Sequence, residues 1–172
     1  MSAVVRWPLW CVLLFSCFFA ACSGTKNQTY EHPFRFKMAN GQDVDESAYK
    51  GKITFIEFWG TWCPPCVAAL PHLQAVYNRY KDNPKVAFLM VSVQEPIAEA
   101  QQFMQAKGYT LPLATDAYNM AGQFRAVGGY PTSYILDEKG HIVIIHRGYN
   151  PNEDLKWNLS REIDAQLFHL KK

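Results

Sequence analysis

Apolar residues along this chain fall alternately into unbroken runs and into helical spacing. Lys52-Ile53-Thr54-Phe55-Ile56-Glu57-Phe58-Trp59 is nearly continuous in apolar side chains, the pattern of a central strand covered on both faces. From Pro64 onward Leu70, Leu73, Tyr77 and Tyr80 recur at helical intervals, and Pro71 inside that stretch predicts a kink. Residues 86–93 form a second buried run, and a helix over about 96–107 ends at Gly108, a suitable C′ residue. A short strand over 110–114 follows, after which Asp116 caps a helix running to about Arg125. Residues 132–136 and 141–146 flank Asp137-Glu138-Lys139-Gly140 and predict a hairpin, and a last amphipathic helix covers about 152–170. Ahead of all these, residues 34–38 alternate like a strand and Asn40-Gly41 marks a turn. Strand and helix alternate three times, then comes a hairpin, then a helix. That order predicts an α/β domain with a central mixed β-sheet flanked by helices, its final pair antiparallel.

The first residues belong to another pattern. Arg6 is their only charge, the stretch from Leu9 through Ala21 is apolar, and it ends in Phe19-Ala20-Ala21-Cys22-Ser23. An apolar run of about 13 residues is short for a membrane span and suits the core of a signal peptide. Ala20-Ala21-Cys22 resembles a bacterial lipobox, with Phe19 where leucine is usual. The expected organisation is a lipoprotein-type signal peptide over 1–21, a polar tether over 22–30 and a folded domain over 31–172, held on the extracytoplasmic (periplasmic) side of a membrane by lipid on Cys22. An uncleaved anchor, or ordinary cleavage leaving Cys22 free, are the alternatives.

Export makes the five cysteines informative. Cys11 and Cys17 would leave with the signal peptide and Cys22 would carry lipid, so only Cys63 and Cys66 remain in the folded domain. With 49% hydrophobic and 19% charged residues the chain fits one globular domain plus its N-terminal extension. A net charge of +2 argues for no nucleic-acid partner.

Cys63-Pro64-Pro65-Cys66 follows an apolar strand and opens a helix. A thiolate at a helix N-terminus is stabilised by unpaired backbone N–H groups and the helix dipole, which makes the first cysteine nucleophilic near neutral pH. The second, one turn on, is placed to attack any mixed disulfide the first one forms. Half of a zinc site is the competing reading, and it lacks a second Cys or Cys/His pair at suitable spacing. The expected redox group is therefore the Cys63–Cys66 disulfide itself, with no metal or other cofactor.

Three further stretches carry a resemblance: Tyr49-Lys50-Gly51-Lys52 leading into the strand, Phe58 through Cys66, and Gly129-Tyr130-Pro131-Thr132 followed by Asp137-Glu138-Lys139-Gly140. Together they resemble the thioredoxin superfamily, and within it the membrane-tethered TlpA/ResA-type thiol–disulfide oxidoreductases that include the cytochrome c maturation thioredoxins. The resemblance covers about Phe34 to the C-terminus. It implies a thioredoxin-like fold with an N-terminal strand or hairpin and an inserted helix and strand near 95–115. It also implies that Cys63 is the exposed attacking thiol, that Cys66 is the buried resolving thiol, and that Pro131 is a cis proline facing the disulfide. Tyr130 and Gly129 before that proline, with Trp62 and Pro64 beside Cys63, become candidate substrate contacts. Trp59 reads as core.

Two departures matter. Many relatives carry a glutamate shortly after the second cysteine, where this chain has Val67-Ala68-Ala69-Leu70. Conversely, Glu57 stands in the strand where relatives often have asparagine. Glu57 thus looks like a buried acid that carries the Cys66 proton, and burial should raise its pKa toward that of a thiol near 8.5. The resemblance implies as partners a disulfide-bearing envelope protein, such as apocytochrome c, and a membrane reductant of DsbD or CcdA type. Copper delivery by a thioredoxin-fold protein is the alternative. Such families typically place three residues between the cysteines and add a histidine, whereas here there are two, and His141 or His146 would serve only if the fold happened to bring it near. A peroxide-reducing relative is a third, disfavoured by the paired cysteines.

Overall fold

The computed structural model describes residues 34–126 and 128–170. Seven strands form one mixed sheet: β1 (Arg35–Met38), β2 (Asp43–Asp45), β3 (Ile53–Trp59), β4 (Val86–Ser92), β5 (Leu113–Thr115), β6 (Thr132–Leu136) and β7 (Ile142–Arg147), in the order β2-β1-β5-β4-β3-β6-β7. β3 runs parallel to β4 and antiparallel to β6. The helices are α1 (Pro64–Tyr80), α2 (Ile97–Ala106), the single-turn α3 (Met120–Gln123) and α4 (Leu155–His169).

All seven residues of β3 are buried, as the unbroken apolar run predicts for a strand with both faces covered. Their alternation divides the core in two. Ile53, Phe55 and Trp59 join Cys63, Cys66, Leu70 and Leu73 of the α1 region, Ala100 and Met104 of α2, and Leu159 and Ile163 of α4. Ile56 and Phe58 face the other way, toward Phe36, Met120, Phe124 and Tyr134. Ring centroids there lie 5.2 Å apart for Phe58–Phe124 and 5.1 Å for Phe124–Tyr134, within the range of favourable edge-on aromatic pairs. α1 is bound to α4 at its far end, where the Tyr80 hydroxyl donates to the Ser160 carbonyl at 3.0 Å and to Asp164 at 2.7 Å.

Leu73 is wholly buried between α1 and the sheet. Leu73→Ala is expected to lower the unfolding free energy by about 2–5 kcal/mol, read from the urea midpoint, because the packed surroundings relax only partly into the cavity.

Several boundaries differ from expectation. α2 does end as predicted: Gly108 lies at φ +72°, its N–H donates to Gln105, and the Tyr109 N–H reaches Met104, which closes the helix in a Schellman motif. The strand expected over 110–114 is instead Leu113–Thr115. The helix expected from Asp116 to Arg125 is only one turn, Met120–Gln123. Asp116 does cap it, accepting the Met120 N–H at 2.5 Å and the Ala121 N–H at 3.2 Å, but from across a turn. Asn119 and Arg125 on either side are both left-handed, at φ +53° and +55°, and this confines the helix to one turn. α1 continues through Pro71 as one helix. α4 starts at Leu155, not Asn152, because Asp154 is the residue whose side chain accepts the Trp157 N–H, at 2.9 Å.

Candidate active site

The β3–α1 junction places the two cysteines. Cys63 is the N-cap of α1, with extended backbone, and Pro64 and Pro65 occupy the first two helical positions. Proline suits that place because its ring presets φ and the missing N–H would be unpaired there anyway. The consequence is chemical. The first backbone N–H of the helix belongs to Cys66, and it points at the Cys63 sulfur at 3.3 Å.

Cys63 and Cys66 are joined as a disulfide, with Cα atoms 5.3 Å apart. The expectation of an exposed Cys63 is met only in relative terms: Cys63 retains 4% of its surface and Cys66 none. In this oxidised state the Cys63 sulfur lies 3.3 Å from the Cys66 backbone nitrogen, against the first turn of α1.

Two of the predicted contacts, Trp62 and Tyr130, meet beside the cluster that holds this pair. The Tyr130–Pro131 peptide is cis, as the resemblance implied. Sheet pairing of β6 begins at Thr132, so Tyr130 lies outside it, while the Pro131 carbonyl accepts the Gly148 N–H at 2.7 Å. Tyr130 packs against the cluster that holds both cysteines. Its ring meets Trp62 edge-on, with centroids 5.7 Å apart. Trp62 is 47% exposed, an unusual state for so large an apolar side chain beside a reactive group. Pro64 is exposed next to it, and the Gly129 carbonyl accepts the Thr132 hydroxyl. Trp59 is wholly buried core.

Glu57 is buried, at 2% exposure, in the middle of β3. Residue parity sends it to the same face as Phe55 and Trp59, the face that carries Cys66. Burial pushes its carboxyl up to about 8, an effect that the Ser133 hydroxyl on the neighbouring strand opposes in part. Its Oε1 has no hydrogen-bond partner among the described residues. Glu57 also lines a cavity of about 270 Å³, together with Ala69, Pro131, Ser133 and Tyr149. The cavity thus runs from the buried acid to the cis proline, and it passes one turn along α1 from Cys66.

Among the described residues no three His, Cys, Asp or Glu side chains form a group able to hold a metal ion. His141 lies 3.2 Å from Asp137 and His146 2.8 Å from Glu162, so the two histidines that copper delivery would call on are engaged with carboxylates. Cys22 and the expected signal and tether segments lie outside the described residues. Among the described residues no helix is long and apolar enough to cross a membrane.

Sequence reasoning missed the cavity and also an acid that adjoins the site. Glu95, just past β4, accepts hydrogen bonds from Thr61 and Ser92. Its position after a parallel strand was a usable signal, since sites in α/β sheets collect at the carboxyl ends of such strands.

Comparison with known proteins agrees with this geometry. Residues 23–145 match the AhpC/TSA family. The thiol–disulfide oxidoreductase ResA of Geobacillus thermodenitrificans is 34% identical over 119 residues, which are 69% of this chain and 68% of that protein. StoA from Bacillus subtilis, a solved structure, is 29% identical, with a TM-score of 0.60 over 73% of this chain and 95% of that one. A thiol:disulfide interchange protein of the thioredoxin family from Chlorobium tepidum superposes with a TM-score of 0.68 over 78% of this chain and 93% of its own, at 22% identity, a likeness of fold. The paired cysteines on a helix N-terminus, the cis proline and these relatives lead to one assignment: the chain belongs to the AhpC/TSA family and is a thioredoxin-like, ResA-type thiol–disulfide oxidoreductase.

Proposed function

We propose that the protein works as a reductase of protein disulfides outside the cytoplasm, tethered by lipid on Cys22 and recharged by a membrane dithiol of DsbD or CcdA type. The observation that carries this reading is the helix N-terminus at the disulfide. With Pro64 and Pro65 at the first two positions, the Cys66 N–H is the one early backbone donor directed at the Cys63 sulfur. A thiolate with fewer donors has a higher pKa, and a reduced form so weakly stabilised gives up its electrons more readily.

The reaction balances as two exchanges. Cys63 thiolate attacks one sulfur of the substrate disulfide, a Cys63–substrate bond forms, and the other substrate sulfur leaves as thiolate. Glu57 takes the proton of Cys66, whose thiolate then attacks the Cys63 sulfur. The second substrate sulfur leaves, and the Cys63–Cys66 disulfide has formed. Two electrons have passed to the substrate, to be restored by the membrane dithiol. In this reading Trp62, Tyr130, Gly129 and Pro64 are the substrate contacts, and the backbone at Tyr130 pairs with a substrate strand. Relatives named ResA support the chemistry, and a disulfide-bearing envelope protein such as apocytochrome c is the fitting substrate class.

Equilibration of the Cys63–Cys66 couple against a reference dithiol tests the direction. The expected potential lies nearer the roughly −270 mV of thioredoxin than the roughly −120 mV of the oxidant DsbA. A value at the DsbA end would overturn the reductase assignment.

A further inference from the structure

Thr61 and Trp62, the two residues before Cys63, are held by an acid that the exchange reaction does not use. The Glu95 carboxylate accepts the Thr61 backbone N–H at 3.1 and 3.2 Å, the Thr61 hydroxyl, and the Ser92 hydroxyl at 2.7 Å. Hydrogen bonds to an ionised acceptor are about twice as strong as neutral ones. Glu95 follows Gln94, which lies in the left-handed region at φ +59°, a strained place for a side chain larger than glycine. The same turn presents the Val93 carbonyl, to which the Trp62 indole N–H donates at 3.1 Å. On its other side the Trp62 ring lies so close over Gly60 that a Cβ there would fall 2.4 Å from the indole nitrogen. Backbone, carbonyl and the Tyr130 ring therefore fix Trp62 on three sides, and it still presents nearly half its surface beside Cys63.

We propose that Glu95 is a positioning residue for substrate capture. By tying Thr61 to the end of β4, it holds Trp62 and Tyr130 as a preformed aromatic surface. An extended peptide segment flanking the substrate disulfide, with an apolar or aromatic residue next to its cysteine, packs there. The inference rests on the disulfide-reduction reading of the site. Its physical basis is preorganisation: a surface ordered beforehand loses less conformational freedom when a partner binds.

The test uses Glu95→Ala and Glu95→Gln in the otherwise intact protein, each with two substrates. One is a disulfide-bridged peptide with an aromatic residue beside its cysteine. The other is hydroxyethyl disulfide, too small to span the aromatic pair. Glu95→Ala is expected to raise KM for the peptide about tenfold, the size of one charge-assisted hydrogen bond, with kcat and the small-disulfide rate within about twofold. Hydrogen exchange of the Trp62 indole N–H, followed by NMR, should accelerate in the same variant. Glu95→Gln keeps a carbonyl acceptor and should recover most of the KM, and it keeps the test open if alanine impairs folding. An unchanged peptide KM, or an equal loss on both disulfides, would overturn the proposal. Failure of the wild-type protein to reduce either disulfide would bring down the reductase reading with it. Faster indole exchange in Glu95→Ala would then still mark Glu95 as a tether, but with no substrate to capture.

Discussion

Alanine at position 66 is expected to turn the protein from a catalyst into a trap. Cys63 can still attack a substrate disulfide, but no second thiol follows to release it, so the mixed disulfide accumulates. Turnover should fall by on the order of a thousandfold or more, the scale on which loss of a reacting group is felt. Cys63→Ser should be equally inactive and should trap nothing. The contrast between the two variants is the informative part, because both remove the disulfide and only one keeps the nucleophile. Non-reducing electrophoresis of envelope proteins recovered with the Cys66→Ala chain would identify the substrates. An empty trap would argue against a protein substrate altogether. Trapping by Cys63→Ser and not by Cys66→Ala would reverse the roles assigned to the two thiols, whose environments differ in the way the roles require: Cys66 is sealed, and Cys63 keeps the little surface the pair has.

Glu57→Gln carries the second large effect, and pH reveals it. The carboxyl titrates at about 8 in the folded chain, against an ordinary value of 4.5. Between those values the folded state holds a proton that the unfolded state has released, so the stability of the wild-type protein falls as pH rises through that window. Above it the loss is complete and levels off. Glutamine has nothing to titrate. The variant should therefore match or trail the wild type near pH 4, gain on it steadily, and lead by roughly 3–5 kcal/mol above pH 8. Urea midpoints measured from pH 4 to 9 would show this, and a constant difference across the range would rule out a titrating buried carboxyl. Activity should move the other way. Release of the mixed disulfide slows by about a hundredfold at pH 7, the low end of general-base contributions. The deficit should shrink as the solution approaches the ordinary thiol pKa of about 8.5, where Cys66 ionises unaided.

How much of this was legible in the chain depends on the range of the interaction. The two central strands and α1 were readable because burial on both faces leaves an unbroken apolar run, and a helix on a sheet leaves spaced leucines. Glu57 was readable for the same reason: a single acid inside such a run is buried along with its strand. The single turn of α3 was not. Its limits are set by left-handed backbone at Asn119 and Arg125, and arginine in particular gives no local sign of that conformation. Glu95 was missed because its partner Thr61 is 34 residues away: a place just past a parallel strand could single out the acid, but the contact itself exists only through the parallel pairing of β3 and β4. The cavity was missed for a similar reason, since residues of β3, α1, β6 and the segment after β7 contribute to it.

Pro64 and Pro65 are both exposed, whereas Cys66, Ala69, Leu70 and Leu73 seat the helix in the core. The two prolines, which withhold backbone donors from the thiolate, are thus separate from the residues that hold the fold. A substitution between the cysteines restores a backbone donor and shifts the electron affinity of the couple while removing almost no buried surface. Driving force and foldedness can vary independently in this protein, and the potential of the same scaffold can be retuned by changing two surface residues.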